Sequence, residues 1–204
     1  IKNKLKDLLF ETICDIGCGS GSLCFYLSKI MNIEYTGIDI NERVLKIAKK
    51  YNKNSTFLKD NILNPAYINY LKQKDLIISN QVLNIISPDK QNKFINIHFK
   101  YSKKYVVFFS LFTDSELEIN IKINDPYNDE IVYYNIVPVN KIKKIAKTNN
   151  FNIESIDNFD IKKKIDKPFK KGRNTYTMET KNGKLLQFSD VIYMPWKLII
   201  LKKS

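Results

Sequence analysis

The sequence predicts an α/β protein in which mostly parallel strands form one sheet with helices on both faces. Short apolar runs alternate with segments of helical periodicity between residues 12 and 159, which is typical of parallel sheets. The first run leads into a glycine-rich turn and then a helix, an arrangement that lets the backbone close on a ligand. The chain has 204 residues, enough for one such domain and few for two. We therefore expect a single domain over residues 1–204.

The predicted elements follow from spacing and from signals at helix ends. Apolar residues repeat at helical spacing in the second helix, Asn41 is suited to cap the third, and Asn149-Asn150 is suited to end the last. We predict strands at 12–16, 34–40, 55–58, 75–80, 105–111 and 151–159, and helices within 1–10 and at 21–31, 41–50, 64–71, 87–101 and 139–148.

Two segments do not fit this alternation, and we predict them to be insertions that cap a substrate. Residues 113–138 carry an acidic block and one arm of a hairpin, and residues 160–190 combine a Lys-rich loop with a second hairpin around Asn182-Gly183. Residues 191–201 form a last predicted strand, interrupted at Pro195-Trp196.

Composition limits the class of protein. The net charge is +13, but only Arg43 and Arg173 among the 34 basic residues are arginines. Nucleic-acid sites favour arginine, so we interpret the charge as solvated lysine faces, with a polyanion site as the alternative. Three cysteines close together in sequence predict neither a disulfide framework nor a zinc site. Without an apolar run near ~20 residues or a signal-peptide pattern, we expect a cytoplasmic protein with no membrane span.

Unusual polar residues follow four of the predicted strands. Gly17, Gly19 and Gly21 form the turn after the first strand. Because ligands of parallel sheets bind beyond the carboxyl ends of the strands, these groups point to one crevice. The other residues at these ends are Asp15, Asp39-Ile40, Asp60-Asn61 and Asn80-Gln81.

The turn favours a cationic ligand over a pyrophosphate. Its third glycine comes one residue earlier than in G-x-G-x-x-G, and Asp15 precedes its first glycine by two residues. Asp39, 22 residues after Gly17, is placed to bind a ribose diol, and Asp60 could accept a hydrogen bond from an adenine amine. A ligand with adenine, ribose and a cationic amino-acid end is S-adenosylmethionine.

These residues resemble successive motifs of the class I S-adenosylmethionine-dependent methyltransferases over about residues 10–160. The resemblance implies a Rossmann-like, seven-stranded sheet whose last strand, within 191–201, runs antiparallel. It implies that the glycine turn holds the methionine end, Asp39 the ribose and Asp60-Asn61 the adenine, while Asn80-Gln81 line the passage to the substrate. The predicted cofactor-binding residues are Asp15, Gly17, Cys18, Gly19, Gly21, Asp39, Ile40, Asp60, Asn61, Asn80 and Gln81.

The methyl acceptor is less well specified. The sequence after the fourth strand is not the Asn/Asp-Pro-Pro-Tyr/Phe of methyltransferases that act on base or glutamine amines, and His98 lies on a helix face away from the strand ends. We assign no catalytic residue and no metal, and place Tyr133 and Tyr134 in a substrate pocket. Further aromatic residues in or near the insertions are Tyr127, Phe169, Tyr176 and Trp196. The prediction is methylation of a small molecule or glycan precursor on oxygen.

Other functions stay open. One alternative is an RNA or protein methyltransferase that docks through the Lys-rich residues 162–173, with affinity that falls steeply with salt. Another is a non-catalytic module that only binds S-adenosylmethionine. A dehydrogenase is a weaker third possibility. The sequence does not specify the oligomeric state.

Overall fold

The computed structural model describes residues 1–63, 74–125, 130–168 and 174–204. The predicted helix at 64–71 lies outside them, as do Tyr127, Phe169 and Arg173. In the described residues the helices are α1 (Lys2–Leu5), α2 (Ser22–Leu27), α3 (Glu42–Tyr51), α4 (Gln91–Tyr101) and α5 (Val139–Thr148). The strands are β1 (Thr12–Ile16), β2 (Glu34–Asp39), β3 (Thr56–Lys59), β4 (Lys74–Asn80), β5 (Ser102–Thr113), β6 (Ile119–Asp125), β7 (Glu130–Pro138), β8 (Phe151–Asn158), β9 (Thr175–Glu179), β10 (Leu185–Ser189), β11 (Ile192–Tyr193) and β12 (Trp196–Lys203).

The main sheet has the order β3-β2-β1-β4-β5-β12-β8. Neighbouring strands from β3 to β5 pair in parallel, whereas β12 runs antiparallel to both β5 and β8. This confirms the predicted α/β fold, including its antiparallel C-terminal strand. The chain order changes direction between β1 and β4, and the crevice at this point is the expected ligand site.

Helices cover both faces of the sheet because the side chains of a buried strand alternate between two apolar layers. Ile13 of β1 packs with residues of α1, α2 and α3, whereas Cys14 and Ile16 pack with residues of α4 and α5. None of the described helices combines the length and apolarity needed to cross a membrane.

Several element boundaries differ from the prediction: α4 begins at Gln91 rather than at 87, and β5 runs from Ser102 to Thr113 rather than over 105–111. The helix predicted at 21–31 ends at Leu27 in α2, and a turn follows in which the Leu27 carbonyl accepts hydrogen bonds from the N–H groups of both Ile30 and Met31. The strand predicted at 191–201 is divided at Pro195: β11 pairs with β10, and β12 joins the main sheet.

The predicted insertions form two β structures beside the end of β5. Strands β6 and β7 form a hairpin, and β7 extends the main sheet through a short parallel pairing of Phe112 with Val137. Strands β9, β10 and β11 form a separate small sheet. A 3.0 Å hydrogen bond between Tyr134 Oη and Ser189 Oγ joins the hairpin to the small sheet. Their role as caps of a single domain over 1–204 stays a prediction.

Candidate active site

A cavity of about 410 Å³ lies at the carboxyl ends of β1, β2, β3 and β4. Seven of the eleven predicted cofactor-binding residues line it: Gly17, Asp39, Ile40, Asp60, Asn61, Asn80 and Gln81. The residues that the sequence reasoning missed are mainly apolar and come from the ends of the strands and from the segment after β4. They include Ile16, Ile38, Ile62, Leu63, Val82, Ile85, Ile86 and Phe94.

The glycine turn fits tightly against the segment after β4. Gly17 has a φ of +76°, and a Cβ at this position would lie only 2.3 Å from Val82 Cγ2. The N–H groups of Gly17 and Cys18 both donate to the Ile38 carbonyl, at 2.7 and 3.1 Å. The turn is therefore fixed to β2 on one side and closed by Val82 on the other.

Asp39 is held in place by backbone groups. Its Oδ2 accepts a 2.9 Å hydrogen bond from the Gly19 N–H, and its Oδ1 accepts a 2.8 Å bond from the Asn41 N–H. A carboxylate oxygen has two lone pairs, so both oxygens keep capacity to accept from a ligand hydroxyl. Gly19 does not line the cavity as described, but its N–H orients the carboxylate that does.

Asp60 and Asn80 bring buried acceptors to this cavity. Asp60 is 7% exposed, and within the described residues neither its Oδ1 nor Asn80 Oδ1 has a hydrogen-bond partner. Burial raises the pKa of the Asp60 carboxyl. Because an orphaned buried acceptor is costly, these oxygens suit a ligand that supplies donors, as an adenine amine does.

The remaining predicted residues, Asp15, Cys18, Gly19 and Gly21, lie outside the described lining of the cavity. Asp15 is buried beneath the turn, where its Oδ2 accepts a hydrogen bond from the Tyr35 hydroxyl. Burial raises the pKa of Asp15 to about 7, and burial likewise raises the pKa of the Cys18 thiol. Direct contact of these four residues with a cofactor stays a prediction.

A hydrogen-bonded asparagine supports the wall of the strand-end cavity that contains Ile85 and Ile86. Asn135 of β7 is fully buried, and its Nδ2 donates to the carbonyls of Asn84 and Ile86 at 3.1 and 2.7 Å. These two carbonyls bracket Ile85, which lines the cavity together with Ile86. The hairpin insertion is thereby connected to the wall of the strand-end cavity, although no sequence motif marks Asn135.

A second cavity, of about 350 Å³, lies on the other side of Asn80 and Gln81, which line both cavities. Gln81 has a φ of +61°, and its N–H donates to the Phe109 carbonyl at 2.7 Å. Positive φ is uncommon for a residue other than glycine and is found at functional sites. The other lining residues are Ile1, Lys2, Ser22, Leu23, Tyr26, Phe109, Phe159, Gln187 and Trp196.

Three aromatic residues considered from the sequence lie away from both cavities. Tyr134 is buried with its hydroxyl bonded to Ser189, and Tyr133 pairs with Lys122 across the hairpin; their contact with a substrate stays a prediction. His98 is fully buried, with its ring 4.7 and 4.6 Å from those of Phe94 and Phe108. Burial lowers the pKa of His98 to about 4, so it is a neutral core residue.

Metal ligands are not grouped at either cavity. In the parts of the chain that the structure describes, His, Cys, Asp and Glu side chains form no cluster of three that could hold a metal ion. Among the described residues, the polar lining of the strand-end cavity consists of Asp39, Asp60, Asn61, Asn80, Gln81, Ser87 and Lys90, and that of the second cavity consists of Lys2, Ser22, Asn80, Gln81 and Gln187.

The family profile described as "Methyltransferase domain" matches residues 11–183, and the chain belongs to this family. Three solved structures illustrate the shared fold. An S-adenosylmethionine-dependent methyltransferase from Methanosarcina mazei is 16% identical with a TM-score of 0.64, covering 98% of this chain and 96% of that one. Magnesium protoporphyrin IX methyltransferase from Synechocystis with bound S-adenosylmethionine is 16% identical with a TM-score of 0.61, and the match covers 100% of this chain and 74% of that one. An O-methyltransferase of a Brevibacillus brevis trans-AT polyketide multienzyme, in complex with S-adenosylhomocysteine, is 14% identical with a TM-score of 0.56, and the match covers 73% of this chain and 49% of that one.

A search of curated proteins found no match. The family match and the fold together make this chain a class I S-adenosylmethionine-dependent methyltransferase. Its methyl donor is therefore S-adenosylmethionine, and the strand-end cavity with its orphaned Asp60 oxygen fits that molecule.

Proposed function

We propose that the strand-end cavity holds S-adenosylmethionine and that the second cavity holds a small organic acid, whose oxygen receives the methyl group. The observation that carries this proposal is the shared wall. Asn80 and Gln81 line both cavities, so a methyl group that points past them from the cofactor side meets a molecule on the acceptor side.

On the cofactor side, the two carboxylates have partners in the donor molecule. The Asp39 oxygens would accept from the ribose hydroxyls, and the orphaned Asp60 Oδ1 would accept from the adenine amine. Ile40 is an apolar residue that is 69% exposed at this cavity, and an adenine ring would cover it. The glycine turn would hold the methionine end.

On the acceptor side, the walls suit an apolar body with an anionic oxygen. Tyr26, Phe109, Phe159 and Trp196 provide aromatic surface. The polar lining among the described residues consists of Ser22, Asn80, Gln81, Gln187 and Lys2, which donate hydrogen bonds or carry positive charge. Such groups would hold a carboxylate, and this favours an organic acid over a glycan precursor.

The reaction needs placement more than proton transfer. The acceptor oxygen forms a bond to the methyl carbon while the carbon–sulfur bond breaks and its electron pair returns to sulfur. A carboxylate oxygen loses no proton in this step, whereas an alcohol would require a base. Holding the two reactants in line across Gln81 supplies the rate enhancement. Such positioning can lower the activation barrier by on the order of 7–11 kcal/mol.

Two of the similar structures support small-molecule chemistry by their own descriptions. One is a magnesium protoporphyrin IX methyltransferase and the other is an O-methyltransferase of a polyketide multienzyme. The RNA or protein alternative would use Lys162, Lys163 and Lys164, which are exposed, but these residues do not line either cavity as described. A cytoplasmic location stays a prediction.

A matched set of acceptors tests the acceptor class. The protein is incubated with S-adenosylmethionine and dodecanoic acid, dodecanol or dodecylamine, and release of S-adenosylhomocysteine is followed. We expect turnover with the acid and its methyl ester as the product. Turnover with the amine alone would contradict the oxygen assignment. Turnover only with RNA or a basic protein, lost as salt is raised, would support the alternative instead.

A further inference from the structure

A third cavity, of about 430 Å³, lies between the end of β5, the hairpin and the small sheet. It shares Phe159, Gln187 and Trp196 with the acceptor cavity. Trp196 lies in its wall as the first residue of β12, with its ring stacked on Phe109 at 5.3 Å and 12°. The same three side chains therefore face both spaces, and the proposed acceptor would meet them at its far end.

The third cavity combines apolar side chains with charged and polar ones, among them Asp114, Lys184 and Lys197. Ile119 comes from the hairpin, Ile136 from its second strand, and Leu185 and Met194 from the small sheet and the segment after it. Lys197 pairs with Asp114 at 2.9 Å, and Lys184 pairs with Asp160 at 3.6 Å. Because both lysines already have carboxylate partners, the interior favours a neutral apolar group over a second anion.

The wall that separates the two spaces is built of side chains that fix one another. Trp196 Nε1–H donates a 3.1 Å hydrogen bond to Gln187 Oε1. Gln187 is half-buried and lies on β10, which pairs with β9 and β11 of the small sheet. The hairpin and the small sheet thus shape this end of the acceptor cavity as well as the third cavity.

We propose that these two cavities form one elongated acceptor site, with the reacting carboxylate at Gln81 and a long apolar tail between the hairpin and the small sheet. The proposal rests on the proposed function, because that function places the reacting oxygen at Gln81. The acid that is methylated occupies both cavities. Each cavity is of a size that holds part of a drug-sized molecule, and their shared wall makes a longer one the better fit.

Trp196 provides the measurement, because it is the only tryptophan in the chain. With the protein saturated with S-adenosylhomocysteine, Trp196 fluorescence is titrated with hexanoate and with dodecanoate. Ile161→Phe narrows the third cavity without touching the acceptor cavity. We expect this variant to weaken dodecanoate binding by about tenfold, the loss of a few buried methylene groups, and to leave hexanoate binding within about twofold.

A matched control adds the same ring outside both spaces. Val191 is 91% exposed and lines neither cavity as described, so Val191→Phe should change neither affinity. If Ile161→Phe fails to fold, Ile119→Phe narrows the cavity from the hairpin side, where the parent side chain is 42% exposed. The same selective loss of dodecanoate binding is expected.

The outcomes separate this proposal from the proposed function. Equal losses for both acids, no loss for either, or no fluorescence change with dodecanoate would overturn the elongated site. Calorimetry with S-adenosylhomocysteine is made on the same samples. Failure of that binding would remove the proposed function itself, whereas intact binding with no selective loss removes only the elongated site.

Discussion

The two sides of Gln81 are built in different ways. On the cofactor side, the lining residues come mainly from the ends of β1, β2, β3 and β4 and from the segments that follow them, and Asp39 is fixed by backbone hydrogen bonds. The acceptor side brings together Tyr26, Phe109, Phe159 and Trp196, which are far apart in sequence, and the ring of Phe109 packs against those of Phe159 and Trp196. A backbone-built site depends on the fold, whereas a side-chain-built site can change its ligand while the fold stays.

This difference predicts how substitutions act. On the cofactor side they should reduce cofactor binding and stability together. On the acceptor side they should alter acceptor binding and leave cofactor binding unchanged. Four predictions, three on the cofactor side and one on the buried groups Asp15 and His98, run from the largest expected effect to the smallest.

Gly17→Ala should cause the largest loss. The new Cβ would lie 2.3 Å from Val82 Cγ2 in a backbone with a φ of +76°, so the turn or the segment after β4 must move. We expect S-adenosylhomocysteine affinity to fall at least about 100-fold by calorimetry and the free energy of unfolding to fall by about 1–3 kcal/mol. Gly183→Ala is the control, because its φ is +75° but its nearest new contact is at 3.9 Å. Equal cofactor affinity in both variants would refute the tight fit at Val82.

Asn135→Ala should destabilise the wall at Ile85. The substitution leaves the Asn84 and Ile86 carbonyls without the Asn135 Nδ2 donor, which should lower the free energy of unfolding by about 2 kcal/mol. Urea unfolding measures this loss, and a several-fold weaker binding of S-adenosylhomocysteine should accompany it. Asn140→Ala removes an exposed hydrogen bond from the Asn140 side-chain amide to Glu116. This variant should change neither the free energy of unfolding nor the affinity for S-adenosylhomocysteine. A similar stability in the two variants would argue against the supporting role of Asn135.

Two buried groups should give opposite pH dependence of stability. The pKa of Asp15 is raised to about 7. Its contribution to the free energy of unfolding is therefore fully present below the pKa of an unfolded aspartate, near 4, and is lost as pH rises to about 7. The pKa of His98 is lowered to about 4, so stability increases as pH rises from there to about 6.5. Each slope has an upper limit of about 1.4 kcal/mol per pH unit.

Substitution separates the two contributions. Relative to the native chain, Asp15→Asn should gain stability as pH rises from about 4 to 7, and His98→Phe should lose stability from about 4 to 6.5. Urea unfolding across this range measures both differences. A pH-independent difference for either variant would show that the group titrates normally in the folded protein.

Asp60→Asn should have the smallest effect. The buried Asp60 Oδ1 lacks a partner among the described residues, and an adenine amine would supply one. The variant should bind S-adenosylhomocysteine about fivefold more weakly, because asparagine keeps an oxygen that can accept from the amine and only the contribution of the charge, about 1 kcal/mol, is lost. The analogue with hypoxanthine in place of adenine serves as the control, since it lacks the amine. If the variant weakens both ligands equally, Asp60 does not read the amine.

The sequence located the residues of the strand-end cavity better than those of the second cavity for a physical reason. In a parallel sheet, residues that end adjacent strands must meet, so Asp39, Asp60 and Asn80 could be placed from strand assignments alone. The approach of Val82 to Gly17 was not predictable, because it depends on the path of the segment after β4.

The acceptor side depends on contacts that no local pattern encodes. Gln187 lies at the wall of the second cavity only because the small sheet packs beside β5 and because the Gln187 side-chain oxygen accepts a hydrogen bond from Trp196. The division of residues 191–201 at Pro195 was visible in sequence, but not that its two parts join different sheets. Tyr134 was placed in a substrate pocket from its position in an insertion, whereas its hydroxyl joins the hairpin to the small sheet.

The most direct test of the account is calorimetry with S-adenosylhomocysteine on the native chain and on Asp39→Ala. Glu42→Ala is the control, because Glu42 is an exposed acid on the adjacent helix that pairs with Lys59. A second control, Phe159→Ala, lies only on the acceptor side. We expect Asp39→Ala to lose about 100-fold in affinity, the loss of two hydrogen bonds to a charged group, and both controls to stay within about twofold. Native affinity in Asp39→Ala would contradict the cofactor site, and a large loss in Phe159→Ala would contradict the separation of the two sides.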